Sequence, residues 1–508
     1  MSVTRAVICL VLLLALGLLM IRLDAKSLSG DEWGNVQIEG GTLEGMIAGM
    51  ASAWSQHPPG SHLIMYGWIK IAGATDFAVR FPGAFWAVVS VALLYALGRR
   101  WFGSRLGLIA AALFAIAPDL ILYGRMEKYY SLVVALALAS LLWFDRTIRQ
   151  PDRRRLAVQA FFSLAILYTD YFAALFVVGA QNILAILIWR RSPAILRGWL
   201  TSQVAAAALF VPFAGIAIGQ VSSVAASVDA DLASGWKAIA AKLLYFPYAY
   251  SVGETIFPWM PAAIVGALLY GGFGLLGLRV WIRRAKAGQL TSPGVWSLTF
   301  LIAPIAGAIL LTSTWLKTVP LITLPNHVLF ALPLFVLLIA SGIDGLGRWR
   351  ALAVAAAAVA IMPSLVNYYT DAQFHNPVFV TPSRDVLRFI VENSLPGDVA
   401  IADEASGVAY YSEQWNVTQP RLLAHTFGSD PRPILPQLGE RVWLVIVGRD
   451  RTRPAEPDLV QAWLEQSYRL VETAGFAEQD ETYRAFKSWL TGRPAYRYRV
   501  VVKLFTRP

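Results

Sequence analysis

The chain has 508 residues, 57% of them hydrophobic and only 15% charged, with a mean hydropathy of +0.54. So apolar a composition at this length excludes a soluble globular enzyme and gives a multi-span membrane protein. The net charge of +11 does not mark a nucleic-acid binder, because residues 371–508 hold 16 Lys/Arg against 17 Asp/Glu and the basic excess lies in the apolar part.

In chain order, apolar windows fall near 5–22, 79–98, 105–118, 126–144, 156–170, 172–189, 199–219, 260–280, 296–313, 326–344 and 350–369, about eleven spans in all. The first, with Arg5 ahead of it, has the charge pattern of a signal peptide, but it is long enough to span and no small-residue cleavage site precedes Asp31. It contains the single cysteine, Cys9, which excludes an intrachain disulfide and a metal–thiolate centre. Just beyond it stands the cluster Ser29-Gly30-Asp31-Glu32-Trp33. Val36 to Trp54 has the pattern of an amphipathic helix lying along the interface. The apolar stretch 156–189 is too long for one helix across ~30 Å of hydrocarbon, and Tyr168-Thr169-Asp170-Tyr171 divides it into two. Residues 220–259 carry Trp236, Tyr245, Phe246, Tyr248 and Tyr250, either an interfacial aromatic belt or a platform for sugar and lipid. From about 371 the tail reads as a small α/β accessory domain. Helices are expected over 386–393 and 459–471, strands over 399–402, 442–447 and 498–505. It has no phosphate-binding glycine loop and no metal-ligand spacing.

Charge sets the orientation. Five alternate loops hold 17 basic residues, from Arg99 to Arg350, against only Asp145, Asp152 and Asp344, so these loops face the cytoplasm. The opposite loops carry Asp31, Glu32, Glu39, Glu44, Asp76, Asp119, Glu127, Asp170, Asp229, Asp231 and Glu254. With the N-terminus inside, eleven spans put the tail outside. The expected architecture is an all-α polytopic bundle over 1–370, with outer loops 23–78 and 220–259, followed by an extracytoplasmic α/β domain over 371–508.

The residues able to do chemistry gather on the outer face. Carboxylates are costly near lipid, so Asp31 and Glu32 point to catalysis or binding, one as a base for a hydroxyl and the other as its orienter or a metal ligand. A solvated pair capping the following helix is the bland alternative. His57-Pro58-Pro59 is a stiff turn that delivers a histidine to the same face, with His62 a weaker candidate one turn on. Arg125 and Lys128, in Tyr123 to Tyr130, complement a phosphate, or else snorkel to the interface. Tyr129, Asp170, Glu254, Asn326 and His327 fall at the same level.

The order Asp31-Glu32, His57-Pro58-Pro59, Arg80-Phe81-Pro82-Gly83-Ala84, Tyr95 to Gly103 and Arg125 to Tyr130 resembles family 39 glycosyltransferases, bacterial relatives of protein O-mannosyltransferases and of the lipid A aminoarabinose transferase. The likeness covers residues 1–190 well, and Leu324 to His327 with Ala331 to Pro333 less well. It implies a GT-C fold with an extracytoplasmic active site, a polyprenyl-phosphate sugar as donor and inversion at the anomeric carbon. It places Asp31 at the catalytic centre with Glu32 beside it, and Arg125 and Lys128 near the donor phosphate. Two departures stand out: Asp170 where the family often has histidine, and Asn326-His327 where it often has Arg-Tyr. A divalent metal is compatible with the nearby carboxylates, but no firm ligand set is legible. The competing functions are a multi-span transporter or lipid flippase and a non-catalytic envelope scaffold. A transporter favours related halves and polar groups at mid-membrane, whereas this chain has no internal repeat and gathers its ionisable residues at span ends.

Overall fold

The computed structural model describes residues 3–51, 57–226, 236–287, 290–315, 324–370, 382–404, 406–426, 429–448, 459–478, 481–491 and 499–508. It divides into two compact units, the first made of 1–23 and 35–370, the second of 24–34 and 371–508.

The first unit is helical. Among the described residues eight helices are long and apolar enough to cross a membrane, and a ninth span results if Ser104–Ala115 and Pro118–Gly124 are one broken segment. That pair bends by 56° because Pro118 pushes Ala117 out of the helical region, to φ −62° and ψ 124°. Two of the expected spans are short helices. Arg153–Leu167 has 15 residues, as many as the expected 156–170 window but shifted toward the N-terminus, and Leu332–Asp344 has 13 and is shorter than the expected 326–344, about 20 Å of helix each, less than a bilayer core. The break at Tyr168 to Asp170 is present, and the following helix loosens into a π-helical turn over Ala174–Val178. The expected helix over 36–54 is instead two, Gly30–Gly40 and Leu43–Met50, parted at Gly40-Gly41 and restarted by Thr42, whose hydroxyl accepts from Gly45 N at 3.0 Å. Trp54 lies outside the described residues. The expected aromatic belt is corrected too. Trp236 is exposed, but Tyr245, Phe246, Tyr248 and Tyr250 are buried along the Trp236–Val252 helix.

Small residues and polar knots hold the helices together, since apolar burial gives no driving force between helices in lipid. Gly277 on Pro261–Ala287 and Gly342 on Leu332–Asp344 face each other so closely that a Cβ on either would overlap the opposing carbonyl, of Leu338 or Phe273. Gln159, Ser140 and Gln181 join three helices through bonds of 2.8–3.2 Å. The three acidic residues of the basic loops are each paired with arginine. Asp145 takes Arg100 and Arg149, Asp152 takes Arg155 at 3.0 Å, and Asp344 lies 3.9 Å from Arg105 and 3.8 Å from Arg350. They therefore leave the charge bias of those loops intact.

The second unit contains a five-stranded sheet of order β2-β1-β3-β5-β4. Its strands are β1 (Val399–Ala402), β2 (Arg421–Ala424), β3 (Arg441–Gly448), β4 (Arg469–Glu478) and β5 (Arg499–Thr506). β1 runs parallel to β2 and β3, with Val399 opposite Arg421 and Val442, while β5 is antiparallel to β3 and β4. Val399, Ile401, Leu444, Val460, Leu464 and Phe505 lie in its core. The helix expected over 459–471 ends at Ser467, and Arg469 opens a bulged edge strand that the helical spacing had concealed. β2 was also illegible, being four residues with one buried side chain.

Gly342→Leu is expected to separate the two facing helices, costing about 1–3 kcal/mol as overpacking does. A fall in the midpoint of thermal unfolding in detergent, with Gly345→Leu as the control, checks it.

Candidate functional site

Within the first unit a pocket with a mostly apolar lining, Ile64, Met65, Val79 and Leu132 among it, also holds Asn35, Glu39, His57, His62, Glu127, Lys128 and Tyr129, with Pro82, Gly83 and Trp86 as one wall. Four segments build it. Asn35 and Glu39 are one turn apart on the Gly30–Gly40 helix and so share a face. Pro58 and Pro59 stiffen the next turn and start the Pro59–Ala72 helix, which carries His62. Gln220 fixes that turn from below, donating to Met50 O at 2.9 Å and His57 O at 3.0 Å. Gly60 donates to Tyr168 O at 2.6 Å, an approach that leaves no room for a Cβ. Gly83 likewise admits the backbone of Gly124 and Met126 against the Asp76–Phe102 helix, and Ser131 Oγ donates to Gly83 O at 2.7 Å. The close approach brings Glu127, Lys128 and Tyr129 to the pocket.

The polar groups are linked in a chain. Asn35 Nδ2 donates to Glu127 Oε2 at 3.0 Å, Glu127 is hydrogen-bonded to Glu39, and Glu39 Oε1 lies 2.8 Å from His62 Nδ1. Burial pushes the Glu39 carboxyl well above its usual range, against the pull of Lys128. Burial, reinforced by Lys128, lowers His62 to about 4 and holds His57 well below its ordinary value. The result is a cationic ammonium beside two neutral imidazoles, a setting suited to an anion and to proton uptake.

Tyr129 links this pocket to its surroundings. Its ring lies 4.5 Å from that of His57, and it hydrogen-bonds Asp170. Asp170 caps the next helix through Ala173 N at 2.5 Å, and burial raises its carboxyl to about 7. The His327 ring lies 6.0 Å from Phe172, and its charge acts on His57, while Asn326 donates to Tyr130 Oη at 3.2 Å.

The other expected residues lie apart from the pocket lining. Arg125 is committed elsewhere in the unit. Helix Val3–Met20 ends at Arg22 with φ 51°, leaving carbonyls unpaired, and the Arg125 guanidinium donates to those of Leu18, Ile21 and Arg22 at 2.7–2.9 Å. It also stacks on Tyr368 and Tyr369. Its fork therefore reads backbone oxygens, which the phosphate expectation did not anticipate. Glu254 accepts from Tyr123 and, at 2.7 Å, from Tyr245, beside Asp119, and burial raises it to about 7. Asp31 and Glu32 belong to the second unit. Glu32 is buried and its Oε2 accepts from Ser29 N at 2.8 Å, the reach-back half of a capping box over Ser29-Gly30-Asp31-Glu32. Asp31 is exposed in the same first turn. Among the described residues no three His, Cys, Asp or Glu side chains are placed to hold a metal ion. Glu39, Glu127 and Asn35 were not singled out from the sequence, where the available signals were the Asn35–Glu39 spacing and the adjacency of Glu127 to Lys128.

Residues 56–216 match the family model described as dolichyl-phosphate-mannose-protein mannosyltransferase. Over the whole chain the structure is similar to ArnT from Cupriavidus metallidurans bound to undecaprenyl phosphate, at 14% identity and TM-score 0.53, covering 99% of this chain and 98% of that one. The apo state of the same protein gives 13% identity, TM-score 0.53 and the same coverage. The fold is that of the GT-C membrane glycosyltransferases. Curated protein sequences yield no match.

Two outcomes are expected. Arg125→Lys keeps the charge but loses the fork that seals the helix end, and should lower thermal stability by about 1–3 kcal/mol. Glu254, with a raised folded value, contributes stability present below about pH 4.5 and lost as pH rises to about 7. Glu254→Gln should make the fall in unfolding temperature across that window shallower, as scanning fluorimetry at stepped pH will read.

Proposed function

We propose that the chain is an inverting glycosyltransferase that moves a sugar from a polyprenyl-phosphate donor to a hydroxyl of an envelope acceptor, on the extracytoplasmic side of a bacterial inner membrane. The observation that carries this is Lys128, a cation in a pocket of neutral imidazoles and paired carboxyls, on a fold shared from end to end with a protein crystallised with undecaprenyl phosphate. The leaving group of such a donor is a phosphate ester anion, which needs a positive partner more than an acid. Lys128 supplies it as a point charge, with His57 and Tyr129 flanking the same wall. Asp170 and His327 act behind them, on Tyr129 and His57. The family resemblance makes Asp31 the proposed catalytic carboxylate, and Glu32 caps the helix turn that carries it. The basic excess of the alternate loops supports an extracytoplasmic reaction and a periplasmic tail.

Lys128→Met should weaken binding of undecaprenyl phosphate to the purified protein at least tenfold, about 1.4 kcal/mol, without lowering its unfolding temperature. Unchanged affinity would remove the basis of the donor assignment. Asp31→Asn should abolish transfer while leaving expression and undecaprenyl phosphate binding intact. A reporter fused after Pro508 should be active only when the reporter requires the periplasm.

A further inference from the structure

The pocket holds a pair that the donor side of the reaction does not use. Glu39 and His62 are 1% and 2% exposed, lie 2.8 Å apart through Oε1 and Nδ1, and both line the cavity. Lys128 opposes the burial that raises Glu39, and in its ionised form the Glu39 carboxylate fixes the tautomer, placing the proton on Nδ1 and the lone pair on Nε2. Resting on the transferase reading, we propose that His62 and Glu39 form a proton-accepting dyad, His62 taking the proton of the acceptor hydroxyl and Glu39 holding the ring in the form that can do so. His62 is then a catalytic residue and Glu39 a positioning one.

The step balances. The acceptor oxygen forms its bond to the anomeric carbon, the bond from that carbon to the donor phosphate oxygen breaks, and the polyprenyl phosphate leaves with the electron pair. The hydroxyl proton passes to His62 Nε2, and the imidazolium is held by the Glu39 carboxylate.

The surrounding charges make the base conditional on the donor. The groups that face the pair are Lys128 and Glu127 from the 125–130 segment and His57 from the HPP turn, with Asn35 on the helix of Glu39. Without donor, burial first and the Lys128 charge second keep His62 neutral. A phosphate anion at Lys128 weakens that field at both members of the pair, so donor binding raises the proton affinity of the dyad as a unit. A pocket built this way gains its base and its leaving-group stabiliser together.

The test uses the full chain in nanodiscs. Ring-¹⁵N spectra of the wild type should show the His62 proton on Nδ1, and titration with undecaprenyl phosphate should move the His62 protonation midpoint upward. A proton on Nε2, or a midpoint indifferent to undecaprenyl phosphate, overturns the dyad without any variant needing to fold. Transfer is then followed from a panel of undecaprenyl-phosphate hexoses and pentoses to envelope membranes. His62→Gln should lower kcat at least tenfold with KM for donor within about twofold, and Glu39→Gln should lower the plateau and move the acidic limb of the pH profile to lower pH. A wild type that transfers while His62→Gln keeps its rate and profile overturns the dyad alone. A wild type that neither binds undecaprenyl phosphate nor transfers from any donor overturns the transferase reading beneath it.

Discussion

Close backbone approach at two glycines is the constraint on which the pocket depends. Gly60 lets the HPP turn rest on the carbonyl of Tyr168, and Gly83 lets the 124–126 backbone press against the Asp76–Phe102 helix. A side chain at either place would push one wall outward. Without that proximity Glu39, Glu127, Lys128 and His62 would not meet, and none of the buried three is stable alone, because a lone ionised group in low dielectric costs several kcal/mol. Tight backbone packing thus permits the polar cluster.

The two arginine-rich ends of the problem are solved differently. Arg100, Arg105, Arg149, Arg155 and Arg350 pair with the three acids of the basic loops and leave the charge bias intact. Arg125 closes the open end of the first span, where the chain turns through Arg22. A guanidinium suits that task because its planar fork reaches several carbonyls at once, which a lysine cannot. Lys128 keeps the compact charge that a phosphate would meet. Residues three apart in one motif thus divide into a structural cation and a candidate ligand for the donor.

Glu32 teaches the same lesson about adjacent acids. It caps the helix that it opens, and Asp31 beside it stays at the surface of that turn. The sequence weighed both as chemistry and both as caps, and the geometry assigns the cap to one of them.

Composition and patterning determined that this is a multi-span helical bundle with a small α/β tail, and which loops carry the basic excess. Those follow from local physics: apolar length against bilayer thickness, Lys/Arg counts per loop, and alternation in Val399–Ala402 and β5. His57, Lys128 and Tyr129, which line the pocket, were also singled out, because a Pro-Pro turn and a cationic motif are visible one residue at a time. The Glu39–His62 pair was not. Its members lie 23 positions apart on different helices, and each alone reads as an ordinary loop residue or a weak candidate. Only the tertiary structure decided that they touch, that Arg125 faces a helix end, and that β4 follows the Leu459–Ser467 helix, because packing between distant segments sets each of these and no local propensity encodes it.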